Sequence, residues 1–322
     1  MKQTTFASEA WDRKGKVTRR ERFLAEMDAV IPWQPLLELI EPHYPKAGNG
    51  TQPMPLERML RIHFMQHWFN LSDPAMEDSL YDSESMRRFA KIELVDDAVP
   101  DETTILRFRH LLEKNALSQQ IFAKVRALLD HKRLLLKSGT IVDATIIDAP
   151  PSTKNAEKAR DPEMKQGKKN SREWHFGMKA HVGTDRRGIV HSLATTDAAQ
   201  SDISQMHKLL HGGESEVFGD QAYWCEAHRQ GAKAKGVCYR INRRGTSAKP
   251  LSDHQRFINQ VRSKARARGE HAFHVVKRLW GFAKVRYRGL AKNTARLFTA
   301  FALANLYLLR RRLLSPQGRC AW

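Results

Sequence analysis

Apolar positions in the first third of the chain recur at helical spacing. Leu56, Met59, Leu60, Phe64 and Trp68 fall three and four residues apart, which predicts a helix with these side chains turned inward. Asp73 followed by Pro74 reads as an N-cap with proline at the first helical position. After "DDAVP" (96–100) a further helix is expected from Asp101-Glu102, with Ile105, Phe108, Leu111 and Leu112 inward and Arg107, Arg109 and His110 outward. The pattern changes at Ser138-Gly139. "TIVDATIIDA" (140–149) is rich in β-branched residues and bounded by Gly139 and Pro150-Pro151, so it reads as a strand. The polar stretch 152–173 reads as a loop. Two strands follow in 174–185 and 188–198, joined by a turn at Asp185–Gly188. A short strand in 215–224 has Asp220 at its end, and 237–242 makes a fifth. From about Asp253 the chain is helical again, and "LFTAFALANLYLL" (297–309) reads as a buried helix closed by Arg310, Arg311 and Arg312, where cations suit the helix dipole. Three strands in meander, then strands alternating with helices, predict a mixed sheet covered by helices. The division expected is a helical region at 1–135, an α/β region at 136–315 and a tail at 316–322.

Charge changes the picture. The 322 residues carry 55 Lys+Arg against 35 Asp+Glu, a formal net charge of +20. Self-repulsion on this scale points to a polyanionic partner, of which nucleic acid is the commonest. Charge alone also fits an unrelated cationic protein, such as a ribosome-associated factor. The most apolar run is too short to span a bilayer, so no membrane partner is expected, and the first residues show no apolar signal segment. Three cysteines, none in a CxxC pair, argue against a disulfide framework or zinc ribbon and fit a reducing cytoplasm.

Within this basic chain three acids stand out. Asp143 sits mid-strand, where alternation puts it on one face with Ile141, Thr145 and Ile147, and burying an unpaired charge there is expensive. An ion pair with a nearby Lys or Arg is the ordinary explanation. Asp148, at the strand end before two prolines, is unremarkable. Asp220 ends a short apolar strand, where ligand sites of α/β sheets gather. Glu270 is alone in a basic stretch: Gln221–Gly269 holds only Glu226 and Asp253, and nothing acidic follows Glu270. On a regular helix Arg266 and Lys277 share its face, with Arg262 more peripheral. An Arg266–Glu270 surface pair would explain part of this. If the three acids converge, two like charges about 4 Å apart repel by roughly 4 kcal/mol. Divalent cations reverse that sign, and two Mg²⁺ ions suit phosphodiester chemistry, with Mn²⁺ a workable substitute.

"IVDATIIDAP" with Asp143, "FGDQAY" with Asp220 and "RARGEHAFHVVKRLWG" with Glu270 resemble the DDE transposases of bacterial insertion sequences, specifically the IS-five subgroup. "RDPEMKQGKKNSREWHFGMKAHVG" and "VPDETTILRFRHLLE" are similar to it as well, so the likeness runs from about Pro55 to Leu314. It implies an RNase H-like catalytic domain with Asp143 on the first strand, Asp220 after the fourth, and Glu270 on a helix after the fifth. These would be the catalytic residues and the metal ligands. Arg266, Glu270 and Lys277 match the family's Tyr, Arg, Glu, Lys signature, while the tyrosine position falls on Ser263. Arg266 and Lys277 would then contact DNA. The implied activity is Mg²⁺-dependent cleavage at element ends and joining to target DNA, with the helical region recognising terminal inverted repeats of double-stranded DNA. Pairing two ends implies a homodimer or higher oligomer.

Other signals carry less. Glu270, His271 and His274 lack the HExxH order of a zinc site. His175, His181 and His191 are scattered on strands, "HGGESE" is no phosphate loop, and Trp174 and Trp224 are more often core residues than base-stacking ones. Two rival readings stand beside the transposase: a structure-selective DNA nuclease without strand transfer, and a non-catalytic DNA-binding protein descended from a transposase.

Overall fold

A computed structural model describes residues 11, 13–49, 52–154, 158–168, 173–246 and 248–315. The chain forms two compact units, one of residues up to Leu117 together with those from Leu309 onward, the other Ser118–Leu308.

The first unit is helical: α1 (Arg19–Val30), α2 (Trp33–Ile40), α3 (Leu56–Trp68), α4 (Asp73–Asp82), α5 (Glu84–Ala90) and α6 (Glu102–Lys114). Met59, Leu60, Phe64 and Trp68 of α3 are buried as expected. Two local readings change. The N-cap of α4 is Ser72, whose hydroxyl accepts from the Ala75 N–H. The Asp73 carboxylate instead accepts from Gln66 and pairs with Arg109 at 3.0 Å. Arg109 is therefore buried rather than outward, since Asp73 and Glu113 neutralise it from two sides. Asp101 caps α6 through the Thr104 N–H, as expected. Arg61, also buried, pairs with Asp28 and Glu57 and lies 4.1 Å from the Trp33 ring centre.

The second unit holds α7 (Leu117–His131) from Ser118, then β1 (Gly139–Asp148), β2 (Lys165–Lys168), β3 (Trp174–Thr184), β4 (Val190–Asp197), α8 (Asp202–Leu209), β5 (Glu216–Gly219), α9 (Glu226–Ala234), β6 (Cys238–Ile241), α10 (Asp253–Arg266) and α11 (Leu290–Leu314) as far as Leu308. The sheet runs β2-β3-β1-β5-β6, with β4 also on β3. β3 is antiparallel to β1, β2 and β4; β5 is parallel to β1 and to β6. This is the α/β, RNase H-like mixed sheet expected, with the helical region before it. β2 is a strand where a loop was read: its three polar residues and one glycine carry no apolar alternation, and pairing with β3 defines it. Gly167 permits that packing, because a Cβ there would lie 2.1 Å from the Ala198 carbonyl.

Helices cover both faces. Met206 and Leu209 of α8 pack on Val142, Val217, Tyr223 and Ile241. On α11 the Asn305 amide donates to the Val190 carbonyl and its oxygen accepts from the Val190 N–H, so a buried asparagine ties helix to sheet. Phe301 meets Phe273 edge-on at 5.9 Å. Among the described residues no helix is long and apolar enough to cross a membrane.

Candidate active site

β1 and β5 pair in parallel as Gly139 with Glu216, Thr140 with Val217 and Ile141 with Phe218. Two residues beyond the last pair on each chain stand Asp143 and Asp220. Neighbouring parallel strands present equivalent positions to the same side, so the register that joins the strands also sets these two carboxylates abreast. Gly219 allows the approach: a Cβ there would sit 2.8 Å from Ile241 Cδ1 and 2.9 Å from Val142 Cγ2. Asp220 then opens a 3₁₀ turn, Gln221–Tyr223, and its Oδ1 accepts from the Ala222 N–H at 2.9 Å.

Glu270 reaches β1 through the glycine before it. A Cβ on Gly269 would lie 2.9 Å from Ile141 Cγ2 and 3.4 Å from Thr184 Oγ1. Ile141 is two residues before Asp143 on the strand, so Gly269 lays the start of the Glu270 turn beside the two aspartates. The segment is not one regular helix, as the spacing assumed. α10 ends at Arg266 and gives a 3₁₀ turn at Ala267–Gly269, one α turn at Glu270–Phe273 and a π turn at His274–Leu279. An i to i+5 turn is underwound, so Lys277 does not keep the uniform 100° phase to Glu270. It arrives against β1 all the same. Its Nζ donates to Thr145 Oγ1 at 3.0 Å and to the Ile146 carbonyl at 2.7 Å.

The electrostatics join what the backbone brings together. The Asp143 carboxyl is pushed up to about 6, first by burial, with the charges of Asp220 and Glu270 adding to it; Arg266 and the Ala144 N–H pull the other way. No Lys or Arg among the described residues makes an ion pair with Asp143, so the ordinary explanation for a mid-strand carboxylate is absent. Glu270 is 61% exposed in its side chain, and its Oε1 lies 3.9 Å from Arg266 Nη2. The surface-pair reading of Arg266 and Glu270 thus accounts for one weak contact and leaves their shared influence on Asp143. Arg266 Nε is buried without a hydrogen-bond partner. Ser263, in the tyrosine position of the family signature, accepts from the Asn242 amide at 3.0 Å.

A cavity of about 270 Å³ continues from Asp220, lined also by Thr145, Asp148, His175, Lys179 and Lys277. Asp148 is more than a strand end: it bonds His175 Nδ1 at 2.7 Å, and Lys179 pairs with Asp202 at 3.0 Å. Asp148 and His175 were set aside in the sequence, and Lys179, Asp202 and Gly269 carried no signal there. Only the β1–β3 register, Asp148 opposite Gly177, brings His175 and Lys179 to this side. His271 and His274, the residues of the demoted zinc reading, are both exposed. Trp174 is 64% exposed, not core, whereas Trp224 packs on the α8 cluster.

The donor set fits a hard divalent cation in chemistry: three carboxylates, one of them half-buried, without an ion pair, and disfavoured as an anion first by desolvation and then by the other two. As the side chains stand, no three acids, imidazoles or thiols among the described residues close around one point. Asp220 is turned onto its own cap and Glu270 toward Arg266.

Two family models match the chain. One, described as a transposase domain (DUF772), matches residues 11–111. The other, a transposase DDE domain, matches residues 135–306.

Proposed function

Because the chain belongs to the transposase DDE-domain family, we propose that it cuts the ends of an insertion sequence of the IS-five kind and joins them to target DNA. Asp143, Asp220 and Glu270 are the proposed metal ligands and catalytic residues. The observation that carries this is the register that sets Asp143 beside Asp220, with a carboxyl at Asp143 that both other acids push upward. Bound magnesium, or manganese in its place, would supply activation of the attacking hydroxyl and stabilisation of the leaving oxygen. The chain's own part is to hold the phosphodiester and exclude competing positions. Lys277, fixed on β1 by Thr145 and Ile146, is proposed to meet a phosphate next to the reacting bond, and Arg266 to hold Glu270 and the flanking backbone. The helical region, residues 1–135, is proposed to recognise terminal inverted repeats on double-stranded DNA. A homodimer or higher assembly would pair two ends, acting on DNA in the cytoplasm at the nucleoid.

The test is cleavage and joining on DNA carrying the repeats that flank the coding region. Asp220→Asn should abolish cutting in Mg²⁺ while end binding persists. Normal cutting by that variant would end the assignment. Cut ends that never join to a target plasmid would leave a nuclease.

A further inference from the structure

We propose that Asp202, at the start of α8, is a fourth acid of the candidate active site, an outer carboxylate held toward Asp143 and Asp220 by the buried hydroxyl of Tyr223. The inference rests on the reading of Asp143 and Asp220 as metal ligands and adds a residue to it. Along α8, Asp202, Met206 and Leu209 stand four and then three residues apart, which puts them on one stripe of the helix. Met206 and Leu209 pack on Val142, Val217, Tyr223 and Ile241. A carboxylate thus takes the first position of a stripe that is otherwise apolar, and its side chain is only 22% exposed. Desolvating a charge there is costly. Asp202 also lines the cavity of about 270 Å³ that Asp220, Lys179 and Lys277 share.

Two buried polar atoms face this carboxylate. The first is an acceptor. His181 Nδ1 lies 3.7 Å from Asp202 Oδ1 and has no hydrogen-bond partner among the described residues. The Thr196 hydroxyl donates to the Asp197 carbonyl, so its oxygen accepts from His181 Nε2 at 2.9 Å. Burial holds the imidazole below its ordinary range and therefore neutral. With the proton on Nε2, Nδ1 turns a lone pair toward Asp202. Lys179, 3.0 Å from Asp202 Oδ1, offsets only part of that conflict.

The second atom is a donor. Tyr223 is 1% exposed, and its hydroxyl has no hydrogen-bond partner among the described residues. Burial first, then the charges of Asp202, Asp143 and Asp220, push the phenol above its ordinary range, so it keeps its proton. All three acids therefore act on one hydroxyl that has nothing to donate to. Tyr223 closes the 3₁₀ turn that Asp220 opens, and a Cβ on Gly219 would lie 3.3 Å from its Cδ2. The backbone that sets Asp220 thus fixes the tyrosine ring as well. An unmade hydrogen bond in the interior is unfavourable. Turning the Asp202 carboxylate onto the Tyr223 hydroxyl satisfies both groups and leaves a fourth negative charge beside the two aspartates, where a divalent cation makes it favourable.

The test is Mn²⁺ binding to the full chain without DNA, read from the EPR signal of free Mn²⁺, beside melting temperatures in EDTA. Asp220→Asn should lose the binding. Asp202→Asn should weaken it about tenfold, as for removal of an outer partner of a metal site, and Asp202→Glu should recover most of it. With Lys179→Met added, Asp202→Asn should stay as weak. A return to wild-type affinity in that double variant would mean that Asp202 only neutralises Lys179, and would overturn the proposal. Tyr223→Phe, which lacks a single oxygen, should weaken Mn²⁺ several-fold while its melting temperature in EDTA stays at or above that of the wild type; it decides if Asp202→Asn does not fold. A lower melting temperature with wild-type Mn²⁺ affinity would make Tyr223 a packing residue and overturn the proposal too. Wild-type affinity in Asp220→Asn would bring down the metal reading and this inference together. Loss in Asp220→Asn, with wild-type affinity in Asp202→Asn and Tyr223→Phe, would overturn this inference and leave that reading in place.

Discussion

Gly269 lies against Ile141 with no room for a side chain: a Cβ there would come 2.9 Å from Ile141 Cγ2. This contact sets the turn that begins at Glu270 on the strand that carries Asp143. Gly269→Ala should cost about 1–3 kcal/mol through overpacking, read by urea denaturation. It should also reduce metal-dependent end cleavage more than end binding, because the displaced group is the carboxylate. Wild-type cleavage by this variant would show that the contact does not position Glu270.

The raised Asp143 carboxyl makes stability depend on pH. A carboxyl held at about 6 when folded, against 3.8 otherwise, disfavours the folded chain once ionised. Its contribution is most favourable below 3.8, falls as pH rises through 3.8 to 6, and levels out above. At pH 7 the cost is on the order of 3 kcal/mol. In EDTA, Asp143→Asn should therefore raise the melting temperature at pH 7.5 and change it little near pH 3.5. Magnesium at pH 7.5 should stabilise the wild type and not this variant. A melting temperature for Asp143→Asn equal to or below wild type at pH 7.5 would contradict the assignment of burial as the main cause.

Lys277 donates to a hydroxyl and a carbonyl of β1, so its ammonium is held in place rather than sweeping solvent. Lys277→Met should lower the cleavage rate by about 10²-fold, as for loss of one fixed charge-stabilising donor, with end binding changed only a few-fold. A parallel loss of binding and cutting would make Lys277 a general DNA contact.

In the helical unit Arg109 joins Asp73 and Glu113 at 3.0 and 3.1 Å, all three largely buried. Arg109→Met leaves two carboxylates without their cation and should cost about 3–5 kcal/mol by denaturant unfolding. Asp73→Asn, which removes one of those charges, should cost less. An Arg109→Met penalty below 1 kcal/mol would mean the pair is solvated.

Local pattern alone was sufficient for most elements. Apolar spacing of three and four found α3 and α6; a β-branched run found β1, and two stretches about the turn at Asp185–Gly188 found β3 and β4; a lone glutamate in a basic stretch marked Glu270. These are short-range effects of helix and strand periodicity and of charge contrast. Where a single local rule had two candidates it misled, as with Asp73 for Ser72 at the α4 cap and with Arg109, whose neutralising partner Asp73 is 36 residues away.

The meeting of the acids is different in kind. Asp220 follows Asp143 by 77 residues, which is also the offset of the β1–β5 register, from Gly139 to Glu216. That number is visible in the chain and carries no information until β1 and β5 are known to be neighbours. Between β1 and β5 run β2, β3, β4 and α8, and none of them leaves a local trace of the parallel register. Likewise Gly269 is an ordinary glycine in sequence, and its need for a bare Cα comes only from Ile141 on a distant strand. The sequence by itself determined which side chains could do chemistry on DNA. Which of them stand together was decided by strand register and close backbone approach, because both depend on partners far along the chain.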